Sequence, residues 1–479
     1  MIVVGSGPAG ATVAARLAAE AVRVLVLEEG HSHPPETFVE SGVQAMSALY
    51  RDLGTSIALG DNPMPYLQGR AVGGTSVING AICWEFPDEV YRAWADADPG
   101  LGDALPFESL RAAEEALSVR LHITGTDPAI AGRKAEIMAA GADRLGLTHR
   151  PIRRNVVGCR GAGRCLQGCP HGAKLSMDRS LLPDAVRDGA RIVAGVRVTG
   201  ILTDGKGAYG VVGVSAGGAR VEARASRGVV LAASAIQTPV LLRKSGIHHG
   251  PVGDGLSGHP GVSVTGRFKD PVNNHLGATQ GHEITGLRHE GLKLETLGFD
   301  RSILGSRIPG LGRELARRIA EMDHYAVQGA ALRAEGRGSV RPGFAGPRVR
   351  FPLLVQDVQK ARRAVRRLGE VLLAAGAEEV YPGVAGFDPV VRDPKRMAEI
   401  ETDGTLDPKA YPMSVTHLFG TAKMGSDPST SVVGTDFRHH AVPGLWVADS
   451  SVFPTNLGVN PQLPIMAMAT LCAAAITAG

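Results

Sequence analysis

Residues 1–30 read MIVVGSGPAGATVAARLAAEAVRVLVLEEG. Ile2 to Val4 is a short apolar run, and Gly5, Gly7 and Gly10 give the spacing G-x-G-x-x-G. Ala11 to Glu20 favours helix, and Val22 to Leu27 is a second strand that ends at Glu28. Each part has a mechanical reason. Gly5 permits a tight turn, Gly7 lets backbone approach a pyrophosphate, and Gly10 lets the helix pack against the strand. The helix N-terminus offers free N–H groups to phosphates. Taken alone, the glycine spacing also suits an ordinary strand–helix turn. Strand, helix, second strand and terminal acid in that order point to a bound dinucleotide. An acid at the strand end accepts from a ribose hydroxyl, which favours FAD or NAD over NADP.

A chain of 479 residues implies two or more substructures. At 44% hydrophobic and 20% charged it has an ordinary globular composition. With 51 basic against 47 acidic residues, the balance argues against nucleic acid or an anionic membrane as partner. The basic run RRAVRR at 362–367 reads as a solvated helix face. No signal peptide precedes the first strand, and the apolar tail Ile465 to Ala478 is too short to span a bilayer. A cytoplasmic protein without membrane insertion is expected. Five cysteines do not make a disulfide framework. Aromatic residues at 4% lean against a carbohydrate substrate.

Outward from the fingerprint, His31 and His33 read as loop residues, and a helix is expected over Phe38 to Asp52. GRAVGGTSVING at 69–80 suits backbone lying against a flat, polar ligand. Phe107 to Val119 and Ile130 to Leu145 have helical apolar spacing, and Phe107 is the expected start of an excursion from the nucleotide fold. Strands Arg191 to Ile201, Gly210 to Val214 and Gly228 to Ala233 return the chain, and Ser234 opens a helix. Between 261 and 412, strands such as Val262 to Phe268 and Val349 to Leu354 alternate with helices such as Lys360 to Ala375. Pro352 suits an edge strand. The chain ends with a strand, Leu445 to Ala448, then Asp449 and a helix over Gln462 to Ala478.

These stretches together resemble the glucose–methanol–choline flavoprotein oxidoreductases across nearly the whole chain. GSGPAG…LEEG matches the family's FAD fingerprint, and GRAVGGTSVINGA at 69–81 and SAIQTPVLLRKSGI at 234–247 match its two signatures. His248 departs where the second signature ends in Gly, and Gly258 of VGDGLSGHP stands where Asp is usual. HLFGTAKMG at 417–425 and VADSSVFPTNLGVNPQLP at 447–464 match the C-terminal half. The resemblance implies an α/β fold. A Rossmann-like FAD domain would be assembled from 1–106, 180–260 and 413–479. An antiparallel-sheet substrate domain with helices would comprise 107–179 and 261–412 and carry a cysteine-bearing loop.

Oxidising an alcohol needs a base for the hydroxyl proton, a donor for the developing alkoxide and a hydride acceptor facing the C–H. By resemblance His417 is the base and Asn460 orients the substrate oxygen, since an amide donates but does not act as a base. Asn460 can also cap the last helix, with Pro461 at its first position. The positive end of that helix would favour reduced flavin. The resemblance carries cofactor contacts to Arg70, Gly74, Thr75, Asn79 and Gly80 near the pyrophosphate and ring. Val198 is placed at the adenine, Ala233 at the phosphates and Asp449 at the ribityl chain. Gly5, Gly7, Pro8, Ala9, Gly10, Glu28, Glu29, Ala81, Ser450, Pro461 and Gln462 complete the expected set. Residues 75–79 hold no histidine, so FAD is expected to be non-covalent. The expected partners are a small-molecule alcohol and an electron acceptor, either oxygen or a quinone or protein. A flavin-containing lyase on the same fold, similar to hydroxynitrile lyases, is the alternative.

Cys159, Cys165 and Cys169 lie in GCRGAGRCLQGCPHGAK. Three thiolates on a glycine-rich loop suit an iron–sulfur cluster, or zinc with His171, as well as plain thiols. Plain thiols are the favoured reading.

Overall fold

The computed structural model describes residues 1–478. Its first sheet has five parallel strands in the order Leu445–Val447, Val229–Leu231, Ile2–Val4, Leu25–Leu27, Arg191–Val193. Three separated stretches of chain therefore build one sheet, with the N-terminal strand at its centre. All three residues of Ile2–Val4 are buried, as a strand covered on both faces requires. Helix Pro8–Ala19 lies against helices Leu181–Arg187 and Gln462–Ala478. A separate three-stranded antiparallel sheet, Val196–Asp204, Gly207–Ser215 and Arg220–Arg224, sits on the same side of the molecule.

The second large sheet has nine strands. It is organised on Asp254–Arg267, which pairs antiparallel with Tyr325–Leu332, Gly338–Pro342, Glu379–Tyr381 and Ser414–Phe419. Leu292–Leu297 and His282–Ile284 extend it to His149–Pro151. Helices Arg133–Arg144 and Val355–Ala374 cover one face. Gly141 lets them meet: a Cβ there would lie 2.3 Å from the Val371 carbonyl oxygen. The opposite face looks onto the nucleotide half.

The α/β class and both sheets agree with the sequence reading, while several bounds differ. The expected helix Phe38 to Asp52 is a short turn, Pro35–Thr37, followed by helix Gly42–Leu49, with Asp52 and Leu53 in the left-handed region at φ 50° and 56°. Gly132 (φ 83°) breaks the helix expected from Ile130 into Pro128–Ala131 and Arg133–Arg144. Strand Val22 to Leu27 shortens to Leu25–Leu27, and the strand at 262–268 lengthens to Asp254–Arg267. Helix Phe107–Arg120, expected in the excursion, packs on Gln462–Ala478, and Leu110 and Ala113 join the parallel-sheet core. Strand Ser414–Phe419, expected with the nucleotide half, hydrogen-bonds into the antiparallel sheet.

Candidate active site

The three fingerprint glycines divide by what surrounds them. A Cβ on Gly5 (φ 99°) would lie 2.4 Å from the Ala232 carbonyl oxygen, and one on Gly10 would lie 2.0 Å from that of Gly5. Packing alone demands both. A Cβ on Gly7 would meet only the Gly74 Cα, at 3.9 Å. Gly7 is the N-cap of helix Pro8–Ala19, with Pro8 just inside it. Backbone at Gly7 is thus left open where a phosphate would lie against helix N–H groups.

A cavity of about 790 Å³ runs from this turn to the face of the antiparallel sheet. Gly5, Gly7, Pro8, Ala9, Glu28, Glu29, Arg70, Gly74, Thr75, Asn79, Gly80, Val198, Ala233, Asp449, Ser450, Pro461 and Gln462 all line it. Gly10 and Ala81 do not. Gly10 is taken up by helix–strand packing, and Ala81 (φ 62°) is fully buried behind the wall, its N–H bound to Asn79 Oδ1 at 3.0 Å.

Buried carboxylates are held before any ligand is considered. Glu28 accepts from Ser6 N (2.9 Å), Ser6 Oγ (2.7 Å) and Gly30 N (2.8 Å), while burial raises its pKa. Asp449, also raised by burial, accepts from Ser234 N, Thr238 Oγ1 and Ser451 N. Glu29 pairs instead with Arg51 at 2.7 Å. The signature loop is pinned by Lys174, whose ammonium donates to the carbonyls of Val77, Asn79 and Cys165. Asn79 Nδ2 reaches Gln462 Oε1 at 2.5 Å. These contacts tie the loop to the last helix.

His417 and Asn460 line the same cavity from different elements. His417 is on strand Ser414–Phe419, in the left-handed region at φ 54°. Burial, and then the charge of Lys293, lower its pKa to about 3, so the ring is neutral. Its Nδ1 lies 3.1 Å from Nδ1 of His259, whose Nε2 accepts from Gly458 N at 2.8 Å. A backbone N–H can only donate, so this network puts His259's proton on Nδ1 and His417's on Nε2. Asn460 precedes the last helix, but Pro461 O accepts the Ile465 N–H. The cap expected at Asn460 is thus one residue later. The Asn460 side chain instead accepts from Lys293 Nζ at 2.7 Å.

The three clustered cysteines do not assemble a metal set. Among the described residues no three His, Cys, Asp or Glu side chains come together with ligand geometry. Cys159 and Cys169 are half-buried. Cys165 is buried and accepts from Arg154 Nη2 at 3.2 Å. Burial raises its pKa, but the charges of Arg154 and Lys174 outweigh that and lower it overall.

Residues absent from the sequence reading are Ser6, His259, Lys293 and Glu295. Ser6 stands inside the fingerprint, and His259 inside GHP. Lys293 and Glu295 belong to LKLETL, whose alternation reads as a half-solvated strand.

The two profiles of the GMC oxidoreductase family match residues 2–261 and 338–469. The chain belongs to the GMC oxidoreductases. This GMC oxidoreductase is 36% identical, over 98% of its length and 74% of the relative's, to an uncharacterized GMC-type oxidoreductase of Mycobacterium tuberculosis. It is 27% identical, over 98% of its length and 67% of the relative's, to a long-chain-alcohol oxidase of Arabidopsis thaliana. Among solved structures, a formate oxidase of Aspergillus oryzae aligns with a TM-score of 0.75 at 18% identity, covering 100% of this chain and 97% of that one, a likeness of fold. The family's cofactor is FAD, and the open backbone at Gly7, the strand-end Glu28 and the long shared cavity fit it. Among the described residues no helix is long and apolar enough to cross a membrane.

Proposed function

We propose that this GMC oxidoreductase oxidises the CH–OH group of a small-molecule alcohol to an aldehyde or ketone, with non-covalently held FAD. When bound, the flavin supplies the hydride acceptor. One observation carries the reading: the fingerprint turn, His417 and Asn460 line a single cavity. An imidazole and an amide offered to one cavity are the pair an alcohol O–H needs.

Asn460 donates to the substrate oxygen through Nδ2 and steadies it as charge develops. His417 takes the hydroxyl proton. In the resting tautomer its Nε2 carries a hydrogen and holds the hydroxyl as a donor. To accept at Nε2 it must move its proton to Nδ1, and His259 must then release the Gly458 N–H. Leaving that N–H unpaired costs about 1–3 kcal/mol, small against the roughly 8 kcal/mol or more by which enzymes lower barriers. Leu297, Phe299, Val262 and Ala330 line the substrate end, which suits an alcohol with an apolar body. The electron acceptor would be oxygen, or a quinone or protein.

Anaerobic mixing with a panel of primary and secondary alcohols tests the reading. An oxidoreductase loses its yellow colour, and air restores it. A lyase keeps its colour throughout, and that result would reject the proposal.

A further inference from the structure

Strand Leu292–Leu297 alternates cleanly. Leu292 and Leu294 enter the core with Ile137, Met138 and Leu368, whereas Glu295 and Leu297 line the cavity. Lys293 shares the face of Glu295 and has no solvent exposure. An ammonium has three donors, and all three find acceptors: Glu283 at 3.0 Å, Glu295 at 2.5 Å and Asn460 Oδ1 at 2.7 Å. Glu283 also accepts from Trp84 Nε1 and Arg150 Nε, and Glu295 from Gln280 Nε2. Two cations thus balance two carboxylates, and Arg150 stacks over the Trp84 ring at 4.4 Å.

Burying such ions costs several kcal/mol each, and apolar side chains of similar volume serve a sheet as well or better. Stability alone therefore does not account for the cluster. Its third bond does. Lys293 can only donate, so the amide oxygen of Asn460 must face it and the NH₂ group must face away. Among the described residues that NH₂ has no protein partner, and Asn460 borders the cavity beside His417. We propose that Lys293 is a positioning residue of the reaction, fixing the Asn460 amide with its NH₂ toward the substrate oxygen. This rests on the alcohol-oxidation reading above. The same charge also helps keep the His417 ring neutral.

A double-mutant cycle tests it. K293M/E295Q removes one cation and one anion together, so the cluster stays balanced. N460L removes the amide, and the triple variant removes both. Two readouts are taken: the rate at which a reactive alcohol bleaches bound flavin, and the Kd of a tertiary alcohol, which has no hydride to give, read from the shift of the flavin's visible band. Each change is expected to slow bleaching by roughly 100- to 1,000-fold and to weaken tertiary-alcohol binding about 3- to 10-fold. The triple variant should be no worse than N460L. Losses that multiply in the triple variant, or wild-type behaviour of K293M/E295Q, would overturn the assignment.

One single variant keeps Lys293 in place and remains informative even if the lysine-free protein does not fold. N460D keeps an acceptor for Lys293 but lacks the NH₂, and should be as slow as N460L; a wild-type rate would overturn the proposal. Wild-type protein bleached by no alcohol rejects the functional reading instead, while the tertiary-alcohol cycle still judges Lys293.

Discussion

His417 is a histidine whose surroundings have removed its usual titration. The ring is half-buried at the cavity wall, and its desolvation, followed by the charge of Lys293, lowers its pKa to about 3. The expected alcohol-oxidation rate therefore has no limb near pH 6.5 from this group. A pH profile of the bleaching rate between pH 5 and 9 checks this, and an inflection near 6.5 that vanishes in H417Q would contradict it. Removing the ring, as in H417A, should lower the rate by about 10²- to 10⁴-fold with little change in flavin binding. The cysteines make a separate prediction at this scale. A thiol reagent should label Cys159 and Cys169 in the native protein and spare Cys83, Cys165 and Cys472, which are buried. Labelled-peptide mass spectrometry reads the result, and the same preparation should be yellow and free of stoichiometric iron.

The first turn shows why some elements could be read from sequence and others not. Gly5 and Gly10 answer to contacts made within a few residues of themselves and with one neighbouring strand. A Cβ on Gly7 would meet only the Gly74 Cα, and on the proposed reading that open backbone serves the cofactor's phosphates. G7A should therefore fold with nearly the wild-type melting temperature but bind FAD at least about tenfold more weakly, since a methyl group intrudes where backbone meets phosphate. G10A should instead cost about 1–3 kcal/mol through overpacking, measured by urea unfolding of the flavin-free protein. Strand LKLETL was not legible in this way. Its alternation predicts polar groups in water, and only partners from other elements, Glu283 and, 167 residues away, Asn460, explain why the polar face is buried. The helix cap at Asn460 misled for a related reason: Lys293 has a stronger claim on the amide oxygen than the helix has. The break at Gly132 depends on a left-handed turn that helical periodicity does not register.

Across the whole molecule, several histidines are buried neutral. Burial lowers His417 to about 3 and His282 and His439 to about 4, and holds His259 well below its ordinary value. Unfolded, each would titrate near 6.5. Between those values the unfolded chain binds more protons than the folded one, so stability is full above pH 6.5 and falls as the pH drops toward 4. The melting temperature should decrease by several degrees from pH 7.5 to 5. A flat or inverted profile by calorimetry would mean that the buried carboxyls of Glu28, Glu114 and Asp449, whose raised pKa values act in the opposite sense, offset or outweigh these rings.

The strand that carries His417 is stitched into the antiparallel sheet, whereas Asn460 leads directly into the helix packed on the parallel one. The two groups proposed to grip a single oxygen atom are therefore rooted in opposite halves of the molecule. Jaw-like opening would pull the grip apart and would also strain strand Asp254–Arg267, to which four other strands are fastened. On the proposed reading, a carbinol reaches that centre through the passage between the two halves, and the width of the passage helps to set which carbinols are admitted.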